Sequence, residues 1–162
     1  MTYHFQPMRA AFAREIVRWR YDGPYAVYNL DTGPDGAEGH VVALTDAANR
    51  YFAVLDGGET LVAFRCFGDD ARVRGGDYAD DALDTGGGLR PDLTGRGMGL
   101  SMLEAGLSFG EARYQPKAFR VTVATFNVRA LRVCSRAGFG EVQRFQRPGD
   151  GVGFAVLTRG CA

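Results

Sequence analysis

The 162-residue sequence predicts an α+β domain built as a mixed, mostly antiparallel sheet flanked by helices. Three observations carry that expectation. Two β-rich runs are separated by Asp56-Gly57-Gly58, a strong short-range hairpin signal. A third β run passes through a glycine-rich turn straight into an apolar helical pattern. The remaining chain reads as strand, helix and two strands, which together with an opening helix gives layered α+β order and not the regular βα alternation of a doubly wound sheet.

In chain order, Pro7 at a tolerated first-turn position, with Phe12, Ile16 and Trp19 at helical spacing, predicts a helix over 8–19. Tyr21, Tyr25 and Tyr28 then crowd a glycine-proline break, and a polar, turn-rich stretch follows over 31–39, so a loop with exposed aromatics is expected. Strands are expected over 51–56 and 59–67. The acidic, glycine-bearing stretch 69–81 reads as a loop. A weak strand over 82–90 contains Gly86, Gly87 and Gly88, which weaken it and are best explained by a bulge or by a close approach of another backbone or a ligand. Pro91 stops the strand, residues 95–99 turn tightly, and Leu100, Met102, Leu103, Leu107 and Phe109 mark a largely buried helix that ends before Pro116. The β-branched run 118–125 is a strand. Asn127 stands at an N-cap position, Ala130, Val133, Cys134 and Ala137 share a face of a helix over 128–137, and Gly138 supplies a left-handed stop. Strands over 139–145 and 152–158, joined by a Pro-Gly-Asp-Gly turn, complete one domain over 1–162.

Composition narrows the function. With 46% apolar residues the chain covers one ordinary core, and 19 basic residues balance 19 acidic ones, so no global field recruits nucleic acid or an anionic membrane. No apolar run approaches the ~18 residues of a membrane span, and the N-terminus lacks a signal pattern. Cys66, Cys134 and Cys161 are odd in number and widely spaced, without a metal-ligand or redox pair, which fits a reducing cytoplasm and a metal-free site.

The chemistry-bearing segment is Leu89-Arg90-Pro91-Asp92-Leu93-Thr94-Gly95-Arg96-Gly97-Met98-Gly99. A turn of this kind entering a helix exposes backbone amides next to the positive end of the helix dipole, which suits a pyrophosphate without any lysine. A dinucleotide fingerprint requires glycine where Met102 stands, and no G-K-[ST] follows, so the Rossmann and P-loop readings fail. A purely structural connection remains the alternative.

This stretch, L-x-P-x-x-T-G-R-G-M-G, resembles the coenzyme A-binding motif of the GNAT acetyltransferases, V-x-P-x-x-[QR]-G-x-G-x-G or -A. Asn127 to Phe139 is similar to their second signature, N-x-x-A-x-x-x-Y-x-[KR]-x-G-F. The resemblance implies a GNAT-like sheet, splayed at 86–90 and 118–125, that holds acetyl-CoA as cosubstrate. The core would span 51–162 and the variable acceptor side 1–50. It further implies that Leu89 and Arg90 meet the acyl and pantetheine arm, that Thr94, Gly95, Arg96, Gly97, Met98 and Gly99 cradle the pyrophosphate, and that Asn127 and Arg136 reach the coenzyme. Asn127 is equally a plain N-cap. Thr94 replaces a long polar side chain, and Cys134 replaces a tyrosine that serves as general acid.

The implied activity is transfer of an acetyl group to an amine, on a small molecule or a protein, with a non-catalytic acyl-CoA sensor as the alternative. An amine attacks only when neutral, and its usual pKa near ~10.4 requires a base or a water chain. Asp84 is the nominated base because alternation with Gly86 and Gly88 would point it into a cleft, with Asp80 and Asp81 competing. Cys134 is either the acid or a small packed residue. Trp19, Tyr21, Tyr25 and Tyr28 line the acceptor site or cap the core. An exposed edge strand in such a fold leaves a homodimer open.

Overall fold

A computed structural model describes residues 2–30 and 32–161. Met1, Asp31 and Ala162, which the expected domain and the 31–39 loop include, lie outside the described residues. These residues form two compact units, 2–66 with 87–96 and 67–86 with 97–161. The seven strands run in the order β1-β2-β3-β4-β5-β7-β6, mostly antiparallel, as expected.

The first unit holds β1 (His4–Pro7), α1 (Ala10–Val17), α2 (Gly36–Thr45), β2 (Tyr51–Leu55), most of β3 (Leu61–Phe67) and the end of β4 (Leu83–Leu89). Two elements went unread in the sequence. Strand β1 pairs antiparallel with β2 from His4↔Leu55 to Pro7↔Phe52, so Pro7 ends an edge strand, a position that tolerates a missing N–H. Helix α1 therefore starts later, after an extended Arg9. Helix α2 carries Gly36 and Gly39 within its sequence, each costing about 1 kcal/mol against alanine. It persists because Val41 and Leu44 bury themselves among Ala13, Ile16, Val17 and Trp19. The hairpin between β2 and β3 is held by the Asp56 carboxylate, whose Oδ1 accepts from the amides of Gly58 and Thr60 at 2.9 and 3.0 Å. Its left-handed residue is Glu59, with φ of 63°, and neither glycine takes that role.

The second unit holds the start of β4, α3 (Gly99–Tyr114), β5 (Ala118–Ala124), α4 (Val128–Arg136), β6 (Gly140–Gln146) and β7 (Gly153–Gly160). Its centre includes Phe67 and Phe119, at 0% and 1% exposure, each such ring contributing roughly 1.5–3 kcal/mol of burial. Strand β5 pairs antiparallel with β7 along its whole length, Ala118↔Gly160 to Ala124↔Phe154. Its parallel ladder with β4 comprises only Leu83↔Phe119 and Asp84↔Arg120. Gln115, left-handed at φ 50°, ends α3 directly before Pro116, and Gly138, at φ 93°, ends α4 as its sequence predicts.

Candidate active site

The glycine turn is built by local chemistry. Pro91–Leu93 make one 3₁₀ turn, and the Thr94 hydroxyl closes it by donating to the Pro91 carbonyl at 2.7 Å. Thr94 thus has a structural task in place of a long phosphate-facing side chain. Gly95 and Gly97 then adopt φ of 74° and 78°, a region that costs an L-residue roughly 1–2 kcal/mol. Both are exposed. Among the described residues the amides of Gly95, Arg96 and Gly97 have no backbone acceptor, and α3 starts immediately after, at Gly99. Exposed amides ahead of a 16-residue helix are the arrangement in which anions bind at helix N-termini. Gly99 serves packing instead: a side chain there would come within 3.1 Å of Val133 on α4.

The strand leading into the turn is clamped. The Arg90 N–H donates to the Val62 carbonyl at 2.8 Å, which removes it as a donor to an acyl oxygen. Successive residues of a strand aim their peptide groups at opposite edges, so the Leu89 N–H and C=O face away from β3. On that edge the Tyr21 hydroxyl donates to the Leu89 carbonyl at 2.7 Å. Burial pushes the Tyr21 phenol up to about 12, keeping it a neutral donor across the physiological range. Asn29 fixes the loop that presents it, accepting from the Tyr21 amide at 2.7 Å and donating to its carbonyl at 3.3 Å. The glycines of β4 answer the expected close approach. A side chain at Gly87 would collide with the Phe64 carbonyl oxygen, and one at Gly88 would lie 2.7 Å from the Phe64 ring and 3.2 Å from the Tyr21 hydroxyl.

Asp84, the nominated base, sits inside an ion network. It is 2% exposed and its carboxylate is saturated by guanidinium groups. Arg120 donates to both oxygens at 2.8 Å, and Arg72 Nε donates to Oδ2 at 2.9 Å. Its hydrogen bond raises the already high pKa of Arg120 and of Arg72. Asp81 lies 3.3 Å from Arg120, and Asp69 and Asp80 lie 3.4 and 4.0 Å from Arg72. The Tyr78 ring sits 5.1 Å from the Arg120 guanidinium and its hydroxyl is 3.0 Å from the Thr122 hydroxyl. This buried ion network favours a structural role for Asp84 over that of a base, and Asp69, Asp80 and Asp81 of the acidic 69–81 segment complement the same two arginines. A lone arginine in the otherwise uncharged run of β5 was the available signal.

The remaining candidates separate. Asn127 Oδ1 accepts from the Ala130 amide at 3.1 Å, the N-cap reading. Cys134 is 6% exposed on the core side of α4, the packing reading. Arg96 and Arg136 are exposed, and Met98 is the N-cap residue of α3. Trp19 is not an exposed aromatic: it is 8% exposed and packs on Phe64 with ring centroids 6.1 Å apart. Tyr28 is 41% exposed and Tyr25 half-buried, both on a 3₁₀ turn, Gly23–Tyr28, that contributes no buried residue. Beside Trp19 a cleft of ≈ 700 Å³ opens between α1 and the residues that follow β4. Among the described residues no helix is long and apolar enough to cross a membrane, and no group of three or more His, Cys, Asp or Glu side chains is arranged to hold a metal ion.

No protein-family model and no curated protein matches the sequence. Solved structures do. A chimera of the spermidine N-acetyltransferase SpeG from Vibrio cholerae and hSSAT aligns over 99% of this chain and 96% of its own, with a TM-score of 0.75 at 14% identity. A GNAT-family acetyltransferase from Bacillus anthracis aligns over 99% and 95%, with a TM-score of 0.74 at 14% identity. The dodecameric spermidine N-acetyltransferase of Vibrio cholerae aligns over 98% and 93%, with a TM-score of 0.70 at 14% identity. The chain has the GNAT fold.

Proposed function

We propose that this chain, with its GNAT fold, is an N-acyltransferase that moves an acetyl group from acetyl-CoA to an amine. The observation that carries the reading is the turn at Gly95 and Gly97, whose left-handed glycines expose unaccepted amides directly ahead of α3. Those amides and the helix dipole are suited to a pyrophosphate. The acetyltransferases of like fold supply the independent support.

Bound there, acetyl-CoA supplies a thioester whose acyl carbon an amine attacks as the carbon–sulfur bond breaks. The chain's residues divide the work. The Leu89 N–H orients the acyl oxygen and stabilises the charge that develops on it, because a preformed donor costs no reorganisation during the reaction. Tyr21 holds the adjoining Leu89–Arg90 peptide through its 2.7 Å bond to the Leu89 carbonyl, acting as a positioning residue on the far side of the same Cα. Neither Asp84, sealed in its ion network, nor Cys134, buried in α4, moves a proton. The attacking nitrogen loses its proton to solvent-connected water instead, and the departing coenzyme A thiolate takes one from the same water.

Incubation with acetyl-CoA and a panel of amines, read by release of free thiol, tests the reading. Thiol release that depends on amine supports transfer. The buried Cys134 at the position of the motif's tyrosine favours one other reading, an acyl-CoA-binding domain without turnover. Binding with no thiol release across the panel would establish that reading.

A further inference from the structure

The cleft beside Trp19 lies within the first unit and has an unbalanced lining. Arg14, Arg18, Arg20 and Arg90 face it, against Glu15 and Asp92. Asp92 is committed to Arg90, accepting from Nε at 2.7 Å and Nη2 at 3.1 Å, and Arg14 pairs with Glu38 at 3.7 Å, which leaves Glu15 as the counter-charge to Arg18 and Arg20. Two of the guanidinium groups are braced in place. Arg20 donates to the Trp19 and Val17 carbonyls at 2.8 and 3.2 Å, the carbonyl end of α1, and Arg90 donates to the Leu61 carbonyl at 2.9 Å. A solvated fringe of arginines pays side-chain entropy to hold any single arrangement. Here the backbone has already fixed half the set, around a hollow whose walls include the indole of Trp19 and the ring of Pro91.

Arg90 already spends its fork on Asp92, but the braced guanidinium of Arg20, beside Arg18, matches the oxygens of a carboxylate or phosphate and meets a polyamine with like charge. Arg90, which lines the cleft, directly follows Leu89, so the wall of the cleft begins one residue, about 3.3 Å of strand, from the residue assigned to the acyl oxygen. We propose that this cleft binds an anionic group of the acceptor, so that the substrate is an amine carrying a carboxylate or a phosphate. The inference rests on the acyltransferase reading for the reaction but not for the anion site.

Two measurements test it, and they fail separately. In the first, kcat/KM is compared within matched pairs: phenylalanine against its methyl ester, and phosphoethanolamine against ethanolamine, with spermidine as the polycation. The proposal expects at least a tenfold preference for the anion-bearing member of one pair, and the pair that shows it separates carboxylate from phosphate. Arg18→Glu, an exposed surface change, should raise KM for that amine several-fold with kcat little changed. Equal use of both members in each pair, or preference for spermidine, overturns the proposal and leaves the acyltransferase reading intact. In the second, inorganic phosphate is titrated while the arginine Nε–H signals are followed by NMR. Saturable shifts at Arg18 and Arg20, with the Arg20 shift weakened by Arg18→Glu, support the site even if no amine is turned over; linear shifts shared by all arginines overturn it.

Discussion

Replacing Asp84 by asparagine should unfold this protein more readily while leaving its pH–rate profile unchanged. The substitution keeps the shape of the side chain, removes its charge, and puts an amide donor where a guanidinium already donates. Arg120, 4% exposed, would then be a buried cation without its carboxylate, and breaking a buried pair on one side costs about 3–5 kcal/mol. Arg72 is partly solvated, with 29% of its side chain exposed, and can recover hydration, so the lower figure, about 3 kcal/mol, is expected. In a domain of this size each kcal/mol moves the melting midpoint by about 2–4 °C, giving a fall of roughly 6–12 °C. Urea unfolding followed by circular dichroism measures the loss, and acyl transfer is assayed well below both midpoints. A variant as stable as the parent to within about 0.5 kcal/mol that has lost turnover at neutral pH would refute the structural assignment and restore Asp84 as the base.

Tyr21 gives a pH signature of its own. Its phenol is raised above the ordinary value, so the stability it contributes is complete below pH ~10 and disappears as pH climbs through about 12. Ultraviolet titration should find one of the seven tyrosines ionising near 12 and should lose that component in Tyr21→Phe, which also forfeits about 1 kcal/mol from the Leu89 bond. Gly97→Ala meets no atom within 4 Å, so it should cost only the roughly 1–2 kcal/mol of left-handed backbone yet weaken acetyl-CoA binding at least tenfold by isothermal titration; unchanged affinity would remove the turn from the coenzyme site. Cys134→Ala should retain turnover at a stability cost of about 1 kcal/mol, and a fall in kcat of a hundredfold or more would return the cysteine to the mechanism.

What the sequence made legible was local. The Asp56 hairpin, the Asn127 cap, the Gly138 stop and the glycine turn each depend on residues a few positions apart, where turn and cap chemistry acts. Strand β1 and helix α2 escaped because neither carries a local signal. The first is a four-residue edge segment that exists by pairing with β2. The second contains glycine and is stabilised by Val41 and Leu44 finding the α1 core. The site divided in the same way. The left-handed glycine turn was readable, whereas the Tyr21–Leu89 bond joins residues 68 apart and the Asp84–Arg120 pair depends on a parallel register that no single segment encodes. Alternation along β4 does set which way Asp84 faces, but what waits on that side is fixed by Arg72 and Arg120.

The central claim is a coenzyme site at the glycine turn, and thermal unfolding with and without acetyl-CoA tests it most directly. At 100 times its Kd the ligand adds about 2.7 kcal/mol, so the midpoint should rise by roughly 5–11 °C, and Gly97→Ala should need at least tenfold more acetyl-CoA for the same rise. No rise at millimolar acetyl-CoA would contradict the account and leave the GNAT fold without its coenzyme.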